Sequence, residues 1–382
     1  MKFAHMGDCH LGGWRQQELK ELNFQSFQMA ISKCIKEKVD FILITGDLFD
    51  NPYPSIDTLK ESFAEFRKLK DADIPVFFIA GSHDYSASGK TFLDVLEKSG
   101  FCKNVSLFEE RNSAIILHPT ILGNVAIYGY PGKKSALEID ELENIKLQDS
   151  PGLFKILMLH TSLRDAIGTL PIKAVDHHNL PKVDYLALSH LHINYSKEGR
   201  VYSGPIFPNN LSELEELKVG SFYIFDNGKI SREELKPKEV KVYSIEIKDT
   251  LSAAEEIISI LSKDFLKDKV ILLKLFGTIE KGQISDIDFA KIESYAKDKM
   301  AYVLLKSTSR LFMSESEIEL GILDSSNFEE QIIKSFEEKN PNKFNQFIYP
   351  LIKSLQVEKL EDERSAVFEE RVLSEAKKIL AI

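Results

Sequence analysis

The chain has 382 residues, of which 43% are hydrophobic and 28% charged, and it carries a net charge of −10. These values describe an ordinary globular chain of two or three domains and argue against broad, non-specific nucleic-acid binding, which rests on clustered Lys and Arg. They do not exclude a phosphate substrate, because bound divalent cations reverse the sign of a site and the Glu-rich stretch from Glu329 to Glu370 carries part of the charge. No apolar run approaches the ~20 residues that cross a bilayer. The cysteines (Cys9, Cys34, Cys102) have unrelated spacings and suggest neither a disulfide framework nor a zinc site. Met1 to Asp8 enters a strand at once with no secretory layout, so a cytoplasmic, membrane-free protein is expected.

In chain order, Lys2 to Met6 is a short apolar strand, followed by Phe24, Phe27, Ala30, Ile31 and Cys34 at helical spacing. Phe41 to Thr45 is the next strand, and Leu59, Phe63, Phe66 and Leu69 form the next helical stripe before Ile74-Pro75 ends it. Val76 to Ala80, Val125 to Tyr130, Ile156 to Leu159 and Tyr185 to Leu188 are further short apolar strands bounded by Gly, Asp or Pro. Strand, helix, strand at these lengths predicts βαβ units and an α/β domain. Ser221 to Phe225 followed by Asn227-Gly228 reads as a hairpin strand that closes this domain near residue 235. Residues 236–312 read as a small α+β module: strands at Val242–Ile247, Val270–Phe276 and Tyr302–Lys306, and helices at Ala253–Leu261 and Phe289–Ala296. Such a module is too short to bury much core unless it leans on the first domain. Residues 313–382 carry three amphipathic stripes, at Phe328–Phe336, Phe344–Ile352 and Val367–Ile379, with Pro350 kinking or restarting the middle one. They either dock on a partner or fold back on the rest of the chain.

The chemistry sits at the ends of the apolar strands. Asp8 and His10 flank one residue, so along an extended segment both face one way and can share a cation. Asp47 follows Phe41 to Gly46 and, with two carboxylate oxygens, is the natural bridge between two metals; Asp50 lies three residues on. Ser82 and His83 follow the third strand, His160 ends another, and His190 and His192 repeat the one-residue spacing. In an α/β sheet the carboxyl ends of the strands converge on one crevice. Mixed Asp and His ligands suit Mn²⁺, Fe²⁺ or Zn²⁺ in a catalytic site better than a closed structural zinc. Two metals about 3.5–4 Å apart would clamp a phosphate.

This series, Asp8-x-His10, Gly46-Asp47-x-x-Asp50, Gly81-Ser82-His83-Asp84, His160 and Ser189-His190-x-His192, resembles the calcineurin-like metallophosphoesterase superfamily. The resemblance implies a layered α/β/β/α core with mixed sheets. It implies one metal on Asp8, His10, Asp47 and His192, and a second on Asp47, Ser82, His160 and His190. His83 would protonate the leaving oxygen, with Asp50 orienting it and raising its pKa. Two residues depart from the pattern: Ser82 stands where the family has Asn, which weakens the second metal site, and Ser189 stands where it has Gly.

His10-Leu11-Gly12, Trp14-Arg15-Gln16, Gly46 to Asp50, Leu180 to Leu188 and Tyr202-Ser203-Gly204 are similar to the archaeal nucleases of double-strand-break repair, the SbcD-type or meiotic-recombination-eleven family. That likeness is specific over residues 1–210 and architectural beyond. It implies a nuclease domain (1–235), a DNA-contacting capping domain (236–312) and helices for an SbcC-type coiled-coil ATPase (313–382). It further implies two Mn²⁺ per chain (with Mg²⁺ the alternative), 3′-to-5′ exonuclease action on duplex DNA, endonuclease action on single strands, and a homodimer. Leu59 to Leu69 or Phe92 to Leu96 would supply the dimer surface. The rival readings are a nucleotide or phosphoprotein phosphatase and a DNA-end-tethering subunit with weakened catalysis.

Other polar residues are open to two readings. Asp84 either joins the ligands or caps its turn. Trp14 and Arg15 either touch DNA or pack a loop, and Lys133-Lys134 either faces phosphate or lies on solvated surface. His5 is expected to be structural; His118, His177 and His178 are expected on the surface or in turns.

Overall fold

A computed structural model of the chain describes residues 1–86, 91–111, 114–168, 171–313, 345–355, 357 and 365–380. They fall into two compact units, Met1–Phe312 and Met313–Ile382. The first unit is built on two six-stranded mixed sheets. In one, Lys2–Met6, Phe41–Ile44, Val76–Phe78 and Lys103–Asn104 run parallel. Gly220–Asp226 joins Lys2–Met6 in antiparallel register and turns back into Lys229–Leu235. Asn227 (φ 47°) and Gly228 (φ 94°) make that turn, the left-handed pair that a two-residue hairpin loop requires. In the other sheet, Val125–Tyr130, Phe154–His160, Tyr185–Ser189 and Arg200–Ser203 run parallel, edged by the antiparallel strands Thr120–Leu122 and Asn194–Lys197.

The near-continuous apolar strands are buried on both faces, as parallel strands must be. Phe3, Leu43, Phe77 and Ile79 of the first sheet meet Ile127, Ile156, Met158 and Ala187 of the second in a core between them. Outside the first sheet, helices Gln17–Glu37 and Ile56–Asp71 bury Phe27, Ile31, Phe66 and Leu69. The second sheet packs its outer face on Ile139, Leu142, Leu163 and Leu180. The result is the expected α/β/β/α sandwich. Leu59, Phe66, Leu69, Leu93 and Leu96 are buried in this core, while Phe63 and Phe92 are partly buried and Val95 stays exposed on the same stretches.

Residues 239–313 form a three-stranded sheet, Glu239–Glu246, Lys269–Ile279 and Val303–Met313, covered by helices Ala253–Leu261 and Phe289–Asp298. This module has its own core, including Ile247, Ile257, Leu273 and Ile292. It also leans on the sandwich: Val270, Leu272 and Leu305 share a cluster with Trp14, Leu19, Leu22 and Leu214. Trp14 is therefore a packing residue between modules, its indole N–H donating to the Pro208 carbonyl at 2.9 Å, and not a base-stacking one.

In the second unit, helix Ile348–Leu355 carries Ile348, Leu351 and Ile352 of the middle stripe and helix Ser365–Leu380 spans the last, while Phe344 lies outside the described residues. Pro350 lies in the first turn of its helix, where no backbone N–H is needed, so it starts this helix without kinking it. The stripe from Phe328 to Phe336 lies outside the described residues. Among the described residues no helix is long and apolar enough to cross a membrane.

Candidate metal centre

The carboxyl ends of five parallel strands, three from one sheet and two from the other, bring the sequence motifs into one crevice. The loops after the first two strands continue to pair beyond the sheet: Asp8 N–H donates to Gly46 C=O at 3.1 Å, His10 N–H to Asp47 C=O at 2.9 Å, and Leu11 N–H to Leu48 C=O at 3.0 Å. Asp8 (φ 48°), His10 (φ 42°), Asp47 (φ 50°) and His190 (φ 94°) all adopt left-handed backbone conformations. The expected extended Asp8-x-His10 segment is thus a strained turn, and the strain is held by the paired loops and the close packing of both sheets.

Glycine permits that packing. A Cβ on Gly81 would lie 2.2 Å from Asp47 Oδ1, and one on Gly132 would lie 2.5 Å from the His160 ring. Gly46, at φ +103°, turns the chain where a Cβ would meet His160 Nδ1 at 2.6 Å.

Among the described residues three candidate ligand groups meet in the crevice: His10 with Asp50 and His83 at the rim, and, more buried, Asp8 with His10 and His192, and Asp8 with Asp47 and His160. Asp47 Oδ2 stands between the last two, 3.7 Å from His10 Nε2 and 3.3 Å from His160 Nε2. His10 Nε2 and His192 Nε2 are 3.1 Å apart. His190 packs its ring 5.0 Å from that of His160, and its backbone N–H donates to both Asp8 carboxylate oxygens at 3.0 Å. Ser82 lies half-buried in the turn between Gly81 and His83. His83 is exposed at the rim; its backbone N–H donates to Asp47 Oδ1 and its Nδ1–H to the Asp50 carbonyl, both at 2.8 Å. The Asp50 carboxylate lies nearer His10 (3.3 Å) than His83 (3.7 Å), so it serves both rings.

The electrostatics match a cation site. Burial opposes ionisation of Asp47, but the charges of His160 and His10 hold its carboxyl well below the usual range. Burial, reinforced by His160, pulls His190 down to about 4, leaving a neutral imidazole with a free lone pair. His160 and His192 are opposed by burial but raised to about 9, His160 by Asp47 and Asp8, His192 by Asp8 and Glu213. His160 Nε2 is buried without a hydrogen-bond partner. Such an orphaned nitrogen 3.3 Å from a carboxylate oxygen is what a divalent cation satisfies, so the donor set fits the metal that the motifs imply.

Three groups support the ligands, and of these only Glu213 lies outside the motif segments. Glu213 accepts from His192 Nδ1–H at 2.9 Å. Its only sequence signal, Asn210-x-x-Glu213, reads as a helix capping box. Ser189 Oγ lies 2.9 Å from His160 Nδ1 and donates to the Thr45 carbonyl. Its lone pair therefore accepts from His160 Nδ1–H, which leaves Nε2 for the metal. Asp84 is the turn-capping residue: its buried carboxylate accepts from Gly81 (3.1 Å), Leu48 (3.2 Å) and Phe49 (3.1 Å) N–H. Burial and the Asp47 charge raise it to about 6. His5 is sealed behind the site between Thr45 Oγ1 and Tyr185 Oη, both at 3.1 Å, and burial lowers it to about 3. His118 is bonded to Gln148, and His178 to Asp176, both outside the crevice. Lys133 pairs with Glu141 at 2.6 Å, Lys134 is exposed beside it, and Arg15 is exposed next to Trp14.

Comparison with known proteins agrees with this geometry. The chain is 26% identical over 331 residues to the "DNA double-strand break repair protein Mre11" of Methanosarcina acetivorans, covering 81% of this chain and 51% of that protein. The protein of the same name from Methanocaldococcus jannaschii is 26% identical over 304 residues, 77% of each chain. The "Uncharacterized metallophosphoesterase YhaO" of Bacillus subtilis is 29% identical over 254 residues, 61% of this chain and 59% of that one. The chain thus spans about half the length of the Methanosarcina relative. The model of the calcineurin-like phosphoesterase family matches residues 1–194, just over half of the chain and the segment that supplies every candidate ligand of the crevice. The chain belongs to that family and is a metal-dependent phosphoesterase.

Proposed function

We propose that the chain is a Mn²⁺-dependent DNA nuclease of double-strand-break repair, degrading duplex ends 3′ to 5′ and cutting single strands internally, with an SbcC-type coiled-coil ATPase as partner. The observation that carries this reading is Asp47 Oδ2 standing between His10 and His160 at the mouth of the two sheets. The choice of DNA over other phosphoesters is supported by the reach of the likeness: the Methanosarcina repair protein matches 81% of this chain, well beyond the family segment of residues 1–194.

In this reading Asp8, His10, Asp47 and His192 hold one Mn²⁺, and Asp47, Ser82, His160 and His190 hold the other, with Mg²⁺ as the alternative ion. Bound there, the ions would supply Lewis-acid chemistry to a phosphoryl group. Asp8 and Asp47 fix the positions through backbone N–H bonds to His190 and His83. His83 is placed to deliver a proton to the departing 3′-oxygen. Its Nδ1–H is committed to the Asp50 carbonyl, so Nε2 is the nitrogen left for substrate. Asp50, held below the usual carboxylate range by the neighbouring His10, keeps its carboxylate 3.7 Å from the His83 ring. Residues 236–312 would cap and contact DNA, and the helices at Ile348–Leu355 and Ser365–Leu380 would receive the ATPase. A second copy of the chain would meet exposed Tyr53, Ile56 and Val95, since the neighbouring leucines are buried.

Ser82 supports a second reading, a DNA-end-tethering subunit with weakened catalysis. A 3′-labelled duplex with Mn²⁺, comparing wild type with Asp47→Ala and His83→Leu, separates the readings. Loss of label by wild type alone supports the nuclease. An intact duplex with hydrolysis of bis-p-nitrophenyl phosphate rejects it in favour of another phosphodiesterase, and an intact duplex with neither activity favours tethering.

A further inference from the structure

The one-turn helix Leu211–Glu216 sends three neighbouring side chains to three places. Glu213 turns to the metal centre, where its Oε1 accepts from His192 Nδ1–H at 2.9 Å. Its other oxygen accepts from the Asn209 backbone N–H at 2.8 Å, and Asn210 caps the same turn by accepting from the Glu213 N–H at 2.9 Å. Leu214 is fully buried in the cluster that joins the sandwich to the small module, against Trp14, Val270, Leu272 and Leu305. Glu215 accepts from Lys274 Nζ, on the central strand of that module, at 2.6 Å, and Lys274 is only 15% exposed there.

Each contact constrains the others. A carboxylate accepts and cannot donate, so Glu213 fixes the proton of His192 on Nδ1 and leaves the Nε2 lone pair facing His10. A capped turn of six residues moves as one body, because its backbone bonds leave no hinge between Glu213 and Glu215. The seat of the 239–313 module, felt through Leu214 and the Glu215–Lys274 pair, therefore sets where the Glu213 carboxylate stands.

We propose that Glu213 is the positioning residue for His192, and that the capping module governs metal affinity at the Asp8–His10–His192 group through this helix. The proposal rests on the reading of His192 as a metal ligand. It makes the capping module more than a cover: how it seats, including on a bound nucleic acid, changes how tightly one metal is held.

The test is Mn²⁺ titration of the full chain by calorimetry, with electron paramagnetic resonance of free Mn²⁺ as a second readout. Four variants are compared with wild type: His192→Ala, Glu213→Gln, Lys274→Met, and the swapped pair Glu215→Lys with Lys274→Glu. His192→Ala should abolish the tighter site. Loss of a partner that orients a ligand weakens binding by about 10–100-fold, and Glu213→Gln, which keeps an acceptor oxygen, belongs at the lower end of that range. Lys274→Met should weaken the same site by roughly fivefold, within the span of ordinary site-to-site coupling. The swapped pair should restore it, and the weaker site should be unchanged throughout. An unchanged His192→Ala would overturn the ligand reading itself. If His192→Ala loses the site while Glu213→Gln does not weaken it, the positioning role is wrong. If Glu213→Gln weakens it while Lys274→Met has no effect, or the swapped pair fails to rescue, the link to the capping module is wrong.

Discussion

His10 Nε2 and His192 Nε2, delivered by opposite sheets, face each other at 3.1 Å. Two imidazole nitrogens at that separation share one proton or one cation. The metal-free site is therefore protonated, and metal must displace protons to enter. His160 and His192, raised to about 9 against burial by neighbouring carboxylates, are the groups that release them. Mn²⁺ affinity should rise with pH from about 6.5 to 9, by about tenfold per unit for each proton displaced. Calorimetry in buffers of different ionisation enthalpy measures the protons directly, and a pH-independent affinity with no proton release would contradict the account.

The same shift has a consequence for the chelated protein. His160 has an ordinary value of 6.5 and a folded value of about 9, so its stabilising contribution is complete below 6.5 and is lost as pH rises through about 9. The melting temperature in EDTA should fall between pH 7 and 9, and His160→Gln should flatten that fall. A variant that melts with the same slope as wild type would remove His160 as the cause.

Gly81→Ala tests the crowding behind Asp47. The added Cβ would lie 2.2 Å from Asp47 Oδ1 and 2.4 Å from its backbone nitrogen, so the loop must move. Forcing a methyl into a packed site costs about 1–3 kcal/mol. The variant should fold with a lowered melting temperature and lose tight Mn²⁺ binding. Full retention of metal affinity would show that the Asp47 carboxylate is not held where the ligands need it.

Ser189 Oγ holds the His160 ring through an Nδ1–H bond of 2.9 Å. Removing such an orienting partner typically costs about 10–100-fold in metal affinity. Ser189→Ala and Ser189→Gly should both weaken the His160–His190 site, with the Thr45 carbonyl at 3.1 Å as the only remaining acceptor and the loss at the lower end. Equal affinities in wild type and both variants would make the hydroxyl a mere filler.

Ser82→Asn runs in the opposite direction. An amide oxygen reaches farther than a hydroxyl, so the second Mn²⁺ should bind more tightly, by roughly tenfold or about 1.4 kcal/mol. Weaker second-site binding in this variant would remove position 82 from the ligand set.

The convergence of the strand-tip Asp and His residues was legible because buried parallel strands write themselves as apolar runs, and the polar residue that ends each run has few other roles. The α/β character of the domain followed from the same runs, while the layered sandwich came from the family resemblance. The left-handed turns at Asp8, His10 and Asp47 were not legible, since one-residue spacing reads equally as extended chain. Glu213 was hidden for a related reason: its helix-capping signature is a sufficient local explanation, and its partner His192 is 21 residues away. Trp14 looked like a loop aromatic because the surface that buries it comes from Val270, Leu272 and Leu305, far along the chain. The stripes at Leu59–Leu69 and Phe92–Leu96 showed only that a face is apolar; the core takes their leucines and Phe66, and Val95 stays exposed.

The central relationship is Asp47 standing between two ligand sets, and anomalous diffraction from a Mn²⁺-soaked crystal of the full chain tests that most directly. It predicts two peaks flanking the Asp47 carboxylate, one against Asp8, His10 and His192, the other against His160 and His190. A single peak, or two peaks neither of which touches Asp47, would contradict it.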